Sequence, residues 1–172
     1  MSSYSLHRRN IISGLHASSS RQNLDLSDEL WAPSVTMEPF QPDLENIIVA
    51  LQSNRSLKTI GISDVVLAAI GDSDQGRLFR SLGNLPTLQQ STVYRGAGSL
   101  KTFPTRVLAD ALSETSNGLT TLILSKFKIG SRSEVEQLAR GLKARVGSLN
   151  TLMIDGIVLD VEDKTGFLDP IL

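Results

Sequence analysis

The stretch that decides the fold is LTTLILSKFKI, residues 119–129. Counted from its first leucine, its apolar residues fall at offsets 0, 3, 5, 8 and 10. Two other stretches repeat this spacing, LKTIGISDVVL at residues 57–67 and LNTLMIDGIVL at residues 149–159. A fourth, LPTLQQSTVYR at residues 85–95, keeps part of the spacing and places two polar residues at apolar offsets. The chain therefore repeats one short apolar phrase, which predicts a repeated structural unit.

An apolar pair precedes each phrase, and its four-residue spacing puts both side chains on one face of a helix. The pairs are Ile47 and Leu51, Leu78 and Leu82, Leu108 and Leu112, and Leu138 and Leu142. Ser131 and Glu134 form a capping-box pattern where the last of these helices is expected to begin. Each unit is therefore predicted to run from helix to turn to short strand, and this alternation is typical of βα units.

The first leucines of successive phrases are 28, 34 and 30 residues apart, within the range typical of repeat proteins. The apolar offsets resemble the LxxLxLxxNxL consensus of the leucine-rich repeats, and the step resembles their ribonuclease-inhibitor-like subclass. The resemblance implies an α/β leucine-rich-repeat solenoid of about four repeats. In it, a right-handed βα superhelix carries a parallel sheet on its concave face and helices on its convex face. An ordinary α/β domain is the alternative.

This sequence departs from the family consensus at offset 8. The positions where the family has Asn or Cys are occupied here by Val65, Val93, Phe127 and Ile157. The family's polar side chain satisfies backbone groups of the loop, and buried backbone groups left unpaired are costly. We therefore expect the loops of this chain to satisfy these backbone groups with other backbone groups or with water.

Residues 1–41 are predicted to form a flexible tail or linker, and residues 42–172 the repeat domain. The first 24 residues contain serines and three arginines but no acidic residue. This composition is typical of an organellar targeting segment and also of a solvated terminus. We expect a cytoplasmic protein, with an organellar location through the N-terminal segment as the alternative. A second interpretation of this segment is a cap formed by Leu24, Leu26, Leu30 and Trp31.

Composition argues against several classes of function. The chain has 17 Lys and Arg against 18 Asp and Glu, so no summed basic field favours nucleic acid as a partner. Cysteine is absent, which excludes disulfides, thiolate zinc sites and cysteine nucleophiles. The longest aliphatic run is residues 65–70, far shorter than the roughly 20 residues of a membrane-spanning helix. We expect neither a nucleic-acid partner nor membrane insertion.

No catalytic arrangement is expected either. RGAGSLKT, residues 95–102, lacks the glycine that a phosphate-binding loop has immediately before its lysine. Both histidines lie in the predicted tail, away from any nucleophile of the fold. We therefore predict a protein that is not an enzyme and uses no cofactor. An enzyme is the remaining class, and it would need a metal on a carboxylate cluster formed by Asp160, Glu162 and Asp163.

Strand alternation predicts which side chains line the open face of the sheet. If offsets 3 and 5 point into the core, offsets 2, 4 and 6 point away from it. Offset 2 is threonine in every phrase, and we interpret this column as scaffold, since threonine suits a strand. Its members are Thr59, Thr87, Thr121 and Thr151. Offset 4 holds Ile123 and Met153, which are expected to lie side by side and exposed.

We predict that this face binds another protein, with Ile123 and Met153 as apolar anchors. The polar rim of the predicted interface consists of Thr121, Ser125, Lys126, Thr151 and Asp155. Coverage of the two anchors by residues 161–172 is the alternative. A structural role is the second hypothesis, in which the open sheet edge stacks chains end to end or continues into a longer repeat array.

Overall fold

A computed structural model describes residues 15, 21–26, 41–95, 105–114, 118–126, 128–156 and 158–159. The described strands are β1 (Asn23–Leu26), β2 (Thr59–Ser63), β3 (Gln90–Tyr94), β4 (Thr121–Ser125), β5 (Lys128–Ile129), β6 (Thr151–Asp155) and β7 (Val158–Leu159). The described helices are α1 (Gln41–Ser53), α2 (Asp64–Ala69), α3 (Asp72–Gly83), α4 (Thr105–Glu114) and α5 (Arg132–Lys143). The predicted α/β class is confirmed.

The main sheet has five parallel strands in the order β1-β2-β3-β4-β6, which is also their order along the chain. Strands β5 and β7 form a second, two-stranded parallel sheet. One backbone hydrogen bond recurs at the start of every strand pair of the main sheet. It joins Thr59 N to Gln22 O, Gln90 N to Lys58 O, Thr121 N to Gln89 O, and Thr151 N to Thr120 O. Each successive strand therefore meets the previous one in the same way.

The register corrects the second apolar phrase by three residues. Thr59 pairs with Gln90, and Gln90 pairs with Thr121, so Leu88 rather than Leu85 corresponds to the first leucine of the other phrases. The strand steps become 31, 31 and 30 residues in place of 28, 34 and 30. Thr87 is therefore outside the predicted threonine column, and its hydroxyl donates to the Leu57 carbonyl at 2.8 Å. Gln90 takes its place in the sheet.

Residues 23–26 lie within the predicted tail and yet form the first strand of the sheet. Leu24 and Leu26 are buried, and β1 pairs in parallel with β2 from Asn23 opposite Thr59. The short NLDL pattern alone does not predict a strand, because it is only four residues long and no helical pair precedes it. Its pairing is held by distant groups, including the Gln22 carbonyl, which accepts from Lys58 N at 2.7 Å. Leu30 and Trp31 lie outside the described residues.

The core lies between the sheet and the helices. All four predicted helical pairs are buried, as are the inner-face residues of the central strands, such as Ile62, Val93 and Leu124. Alternation places these side chains on the helix side and their chain neighbours on the open side. At the start of α5, Ser131 Oγ accepts from Glu134 N at 3.2 Å, while Glu134 Oε2 accepts from Gly130 N at 2.7 Å. The predicted N-cap therefore forms, but Glu134 accepts from the N–H of Gly130 instead of that of the N-cap residue Ser131.

A buried asparagine closes the turn between α1 and β2. Asn54 Oδ1 accepts from the backbone N–H groups of Ser56 and Leu57 at 2.9 and 2.8 Å. Its Nδ2 donates to the Leu15 carbonyl at 3.3 Å. The side chain thus satisfies backbone groups that the turn would otherwise leave unpaired in a buried place. It also ties the N-terminal region to the first unit.

The helices pack side by side on the core side of the sheet, with α3 against α4 and α4 against α5. Arg77 of α3 also forms a bidentate ion pair with Glu45 of α1, with Nη2 and Oε2 2.7 Å apart. This hydrogen-bonded pairing lowers the pKa of Glu45 and raises that of Arg77. The pair's contribution to stability is present above the usual pKa of glutamate and is lost as the pH falls through the lowered value.

Ser91 is the one polar residue in its column of the inner face, and it interrupts the apolar spacing of the second phrase. Leu24, Ile60 and Leu122 occupy the matching positions of neighbouring strands. A hollow of about 30 Å³ lies beside Ser91, lined also by Phe79, Leu82, Leu88, Leu108 and Leu122. The serine leaves part of the core unfilled.

Filling this hollow is expected to stabilise the protein. Replacing Ser91 by valine should raise the free energy of unfolding by about 1 kcal/mol, because it adds buried apolar volume without a large change of shape. Urea denaturation checks the change. Thr92→Val, one residue away on the open face, is the matched control and should change stability by less than about 0.5 kcal/mol. A loss of stability in Ser91→Val would show that the hollow is not available to a side chain.

Candidate functional site

The predicted interface residues come together on the open face of β4 and β6. Parallel pairing sets Thr121 beside Thr151, Ile123 beside Met153 and Ser125 beside Asp155. Lys126 follows directly after β4. The seven residues therefore form one continuous patch, which we call the β4–β6 patch. It consists of Thr121, Ile123, Ser125, Lys126, Thr151, Met153 and Asp155.

Alternation along β4 explains why these side chains point away from the core. Leu122 and Leu124 are almost fully buried against the helices, at 1% and 0% exposure. Their neighbour Ile123 therefore points to the opposite face of the sheet, where it is only partly buried. Met153, on the last strand of the sheet, is 51% exposed. The centre of the patch is thus apolar and accessible, and its borders are polar.

The carboxyl end of β4 turns sharply where the patch ends. Lys126 adopts a left-handed conformation with φ 58°, which costs a non-glycine residue roughly 1 to 2 kcal/mol. Its backbone N–H donates to the Asp155 carbonyl at 2.7 Å, which keeps β4 and β6 paired up to the turn. Gly156 occupies the same place after β6, with φ 61°, and packs against Lys126. The turn leaves the Lys126 side chain exposed at the border of the patch.

The opposite end of the same sheet face is polar and internally bonded. The Tyr94 hydroxyl donates to Asp25 Oδ1 at 2.7 Å, crossing over β2. Gly61 makes this crossing possible, because a Cβ there would lie 2.9 Å from Asp25 Oδ1 and 3.4 Å from Tyr94 Cε1. On the neighbouring row, the Thr59 hydroxyl bonds to the Asn23 side chain. Polar groups at this end therefore bond one another.

Along one row of residues across the sheet, the side chains change from polar at β1 to apolar at β4 and β6. Its members from first strand to last are Asp25, Gly61, Thr92, Ile123 and Met153. The first three positions present a bonded carboxylate, a bare backbone and a hydroxyl. The last two present adjacent apolar side chains. The part of this face suited to burying apolar surface is therefore the side formed by β4 and β6.

Several residues of this face were missed from the sequence. Gln90, Thr92 and Tyr94 line it in place of Thr87, Gln89 and Ser91, and β1 adds Asn23 and Asp25. The helical pairs contained the signal that would have found the first three. Leu78, Leu108 and Leu138 follow one another at steps of 30 residues, which is incompatible with a 34-residue step between the strands that follow them. The regular spacing of the helical pairs therefore indicates the register of the second phrase better than its leucines do.

Other proposed chemistry falls mostly outside the described residues. Asp160, Glu162 and Asp163 lie there, as do residues 96–102 of the stretch that lacks the phosphate-loop glycine, and the covering segment 161–172. Within the described part of the chain, no group of three or more His, Asp or Glu side chains is placed to hold a metal ion. The described helices also include none with the length and apolar character needed to cross a membrane.

Comparison of the sequence with protein-family models and with curated proteins finds no match. The β4–β6 patch offers an accessible sheet surface with two adjacent apolar side chains and five polar ones. Adjacent exposed apolar side chains bordered by polar ones are typical of surfaces that contact another macromolecule.

Proposed function

We propose that this chain is a leucine-rich-repeat protein that binds another protein, without catalysis, through the β4–β6 patch. The finer fold in this proposal is a short solenoid with the sheet on its concave side. Three features support it. Strands and helical pairs advance together by about 30 residues, the same backbone bond recurs at each strand pair, and neighbouring strands follow chain order.

The observation that carries the functional proposal is the exposure of Met153 beside Ile123. An apolar side chain on a sheet facing water loses the free energy that burial would supply, about 25 cal/mol for each Å² covered. Two adjacent apolar groups surrounded by hydroxyls and charges match the usual composition of a binding surface, with a water-excluding centre and a polar border. We assign the anchoring role to Ile123 and Met153 and the bordering role to the other five residues.

The two charged residues at the border, Lys126 and Asp155, would favour one orientation of the bound partner. Lys126 and Asp155 are exposed at the same end of the patch, so that end presents both signs. Exposed pairs of this kind contribute little affinity but influence association rate and register. The threonines at the other end, Thr121 and Thr151, offer hydroxyls for hydrogen bonds to a partner backbone. Affinity is therefore expected to depend on the anchors, and orientation on the border.

The test begins by identifying a partner and ends with a purified pair. A photoreactive amino acid at Thr151 of the full chain would cross-link proteins bound to the patch, and the captured protein would then be produced pure. Calorimetry would measure its affinity for the wild type and for Ile123→Asp/Met153→Asp. We expect the dissociation constant of the double variant to rise at least about 30-fold, because each buried anchor contributes roughly 1 to 2 kcal/mol and a factor of ten corresponds to about 1.4 kcal/mol.

The chain offers a matched control. Val49 on α1 and Val146 after α5 are exposed apolar residues, at 52% and 76%, that do not belong to the patch. Val49→Asp/Val146→Asp adds the same charge and should leave the dissociation constant within about twofold of the wild type. Thermal unfolding shows that each variant is folded, and Met153→Asp alone replaces the double variant if Ile123→Asp unfolds the chain. Equal affinities for the two double variants would refute the proposed interface.

A further inference from the structure

Strand β6 exposes the face that every other strand of the main sheet buries. The residues that match Leu152 on the four other strands are between 1% and 7% exposed, whereas Leu152 itself is 37% exposed. Ile154 is also only partly buried, whereas its counterparts Leu26, Ile62, Val93 and Leu124 are buried. The sheet order ends at β6, and among the described residues no strand lies beyond it. Apolar core surface therefore continues to the edge of the sheet.

The backbone of β6 has hydrogen-bonding groups directed to this edge. The Thr151 N–H donates to the Thr120 carbonyl, and the Asp155 carbonyl accepts from the Lys126 N–H. Residues 151, 153 and 155 therefore direct their backbone N–H and C=O groups toward β4. In a strand the two backbone groups of a residue point to one side, and successive residues alternate. Leu152 and Ile154 therefore direct their N–H and C=O groups outward. These groups can form an additional strand pair.

We propose that two copies of this chain pair through β6 in an antiparallel manner, about a two-fold axis at Met153. In this register Leu152 lies opposite Ile154 of the second copy, and both pairs formed in this way are hydrogen-bonded. Four backbone hydrogen bonds result. Thr151 lies opposite Asp155 on the open face, so a hydroxyl meets a carboxylate. In this register each residue of β6 faces a residue of the second copy: apolar residues 152, 153 and 154 face apolar residues, and polar residues 151 and 155 face each other.

A second copy is favoured as the occupant because the strand is complementary to itself in this register. On the helix side the facing side chains are leucine and isoleucine, and on the open side they are polar at both ends and methionine at the centre. The other end of the sheet does not offer the same surface, since Leu24 and Leu26 of β1 are buried. A closed pair of β6 edges is therefore expected rather than head-to-tail growth.

This pairing also enlarges the apolar centre of the open face. Met153 of each copy would lie beside that of the other, and each is beside its own Ile123. A continuous row of four apolar side chains would cross the junction, running Ile123, Met153, Met153 and Ile123. The proposed pairing does not depend on partner binding at the β4–β6 patch, and the experiment below involves this chain alone.

The absence of native cysteine permits a direct test. Met153→Cys would place two thiols at a non-hydrogen-bonded antiparallel pair, whose Cα atoms lie about 4.5 Å apart and within disulfide range. Mild oxidation of the full chain is expected to convert most of it to a covalent dimer of twice 18.6 kDa. Val49→Cys, on the exposed surface of α1, should remain mostly monomeric at the same concentration. Equal cross-linking of the two variants would overturn the proposal.

Light scattering across concentration supplies the second arm. The wild type should approach twice 18.6 kDa and stop there. Leu152→Lys should raise the dimer dissociation constant at least about tenfold, because lysine on an edge strand opposes pairing, whereas Val146→Lys should not change it. A wild type that stays monomeric, or whose mass grows beyond two chains, would overturn the proposal. If Leu152→Lys fails to fold, the cysteine comparison decides.

Discussion

Replacing Leu124 by alanine is expected to lower the free energy of unfolding by about 4 kcal/mol. Leu124 of β4 is fully buried, with Val93 and Ile154 beside it on the neighbouring strands. Truncation removes apolar contacts and leaves a cavity that cannot close readily, because β4 is paired with β3 on one edge and β6 on the other. Leucine-to-alanine changes at such sites typically cost about 2 to 5 kcal/mol. Urea denaturation followed by circular dichroism measures the loss.

The neighbouring residue on the same strand provides the control. Ile123 is in the same local structure but points to the open face, so Ile123→Ala is expected to cost about 1 kcal/mol or less. The contrast between adjacent positions tests the two-sided character of the sheet more sharply than either variant alone. Similar losses for the two variants would mean that both faces of β4 are covered, and the β4–β6 patch would then be buried.

The second large effect is expected at Gly141, where α5 packs tightly against Ala109 of α4. A Cβ at this position would lie 2.6 Å from the Cα of Ala109 and 2.8 Å from its carbonyl oxygen. These are backbone atoms, so the two helices would have to separate to accept it. We expect Gly141→Ala to destabilise the protein by about 3 kcal/mol, at the upper end of the usual cost of overpacking. Thermal and urea unfolding both report this change.

The sign of this effect is informative because helix propensity acts in the opposite direction. Alanine inside a helix is favoured over glycine by about 1 kcal/mol, so an unconstrained Gly141 would become more stable on substitution. Gly147→Ala is the matched control, since a Cβ there meets no atom within 4 Å, and its effect should stay within about 0.5 kcal/mol. Stabilisation by Gly141→Ala would show that α4 and α5 do not pack this closely.

The sequence allowed the central part of this fold to be predicted because its signals are local and repeated. Apolar pairs four residues apart identified the helices, and the leucine phrases identified β2, β4 and β6. The β4–β6 patch followed from alternation along two of these strands. Each of these predictions needed only residues within one unit and the knowledge that successive units are alike.

What could not be predicted depends on contacts between distant residues or on ambiguous spacing. Leu85 and Leu88 are three residues apart, so either of them fits the first leucine of the phrase. An apolar residue at position 91 would favour Leu88, but Ser91 is polar and the choice stays ambiguous. Strand β1 has four residues and becomes a strand only through bonds to β2. The contact of Tyr94 with Asp25 joins residues 69 positions apart, and no local pattern contains it.

The unequal ends of the open face connect the two proposals. On the side of β1, polar groups bond one another across the sheet, which leaves fewer of them for a partner. On the side of β6, apolar groups are exposed on both faces of the strand, with Met153 on one and Leu152 on the other. Binding of another protein would cover Met153 on the open face, and pairing of two copies would cover Leu152 on the helix side. The last strand is thus the centre of both expected interactions.

Methyl NMR of the full chain with the purified partner tests the central claim most directly. The chain has only three methionines, so the Met153 methyl signal can be assigned by one substitution. We expect a nuclear Overhauser effect between the Ile123 Cδ1 and Met153 Cε methyls, and a shift of both signals on addition of the partner, while the Val49 signals stay unchanged. A partner that shifts the Val49 methyls and leaves Ile123 and Met153 unaffected would contradict protein binding at the β4–β6 patch.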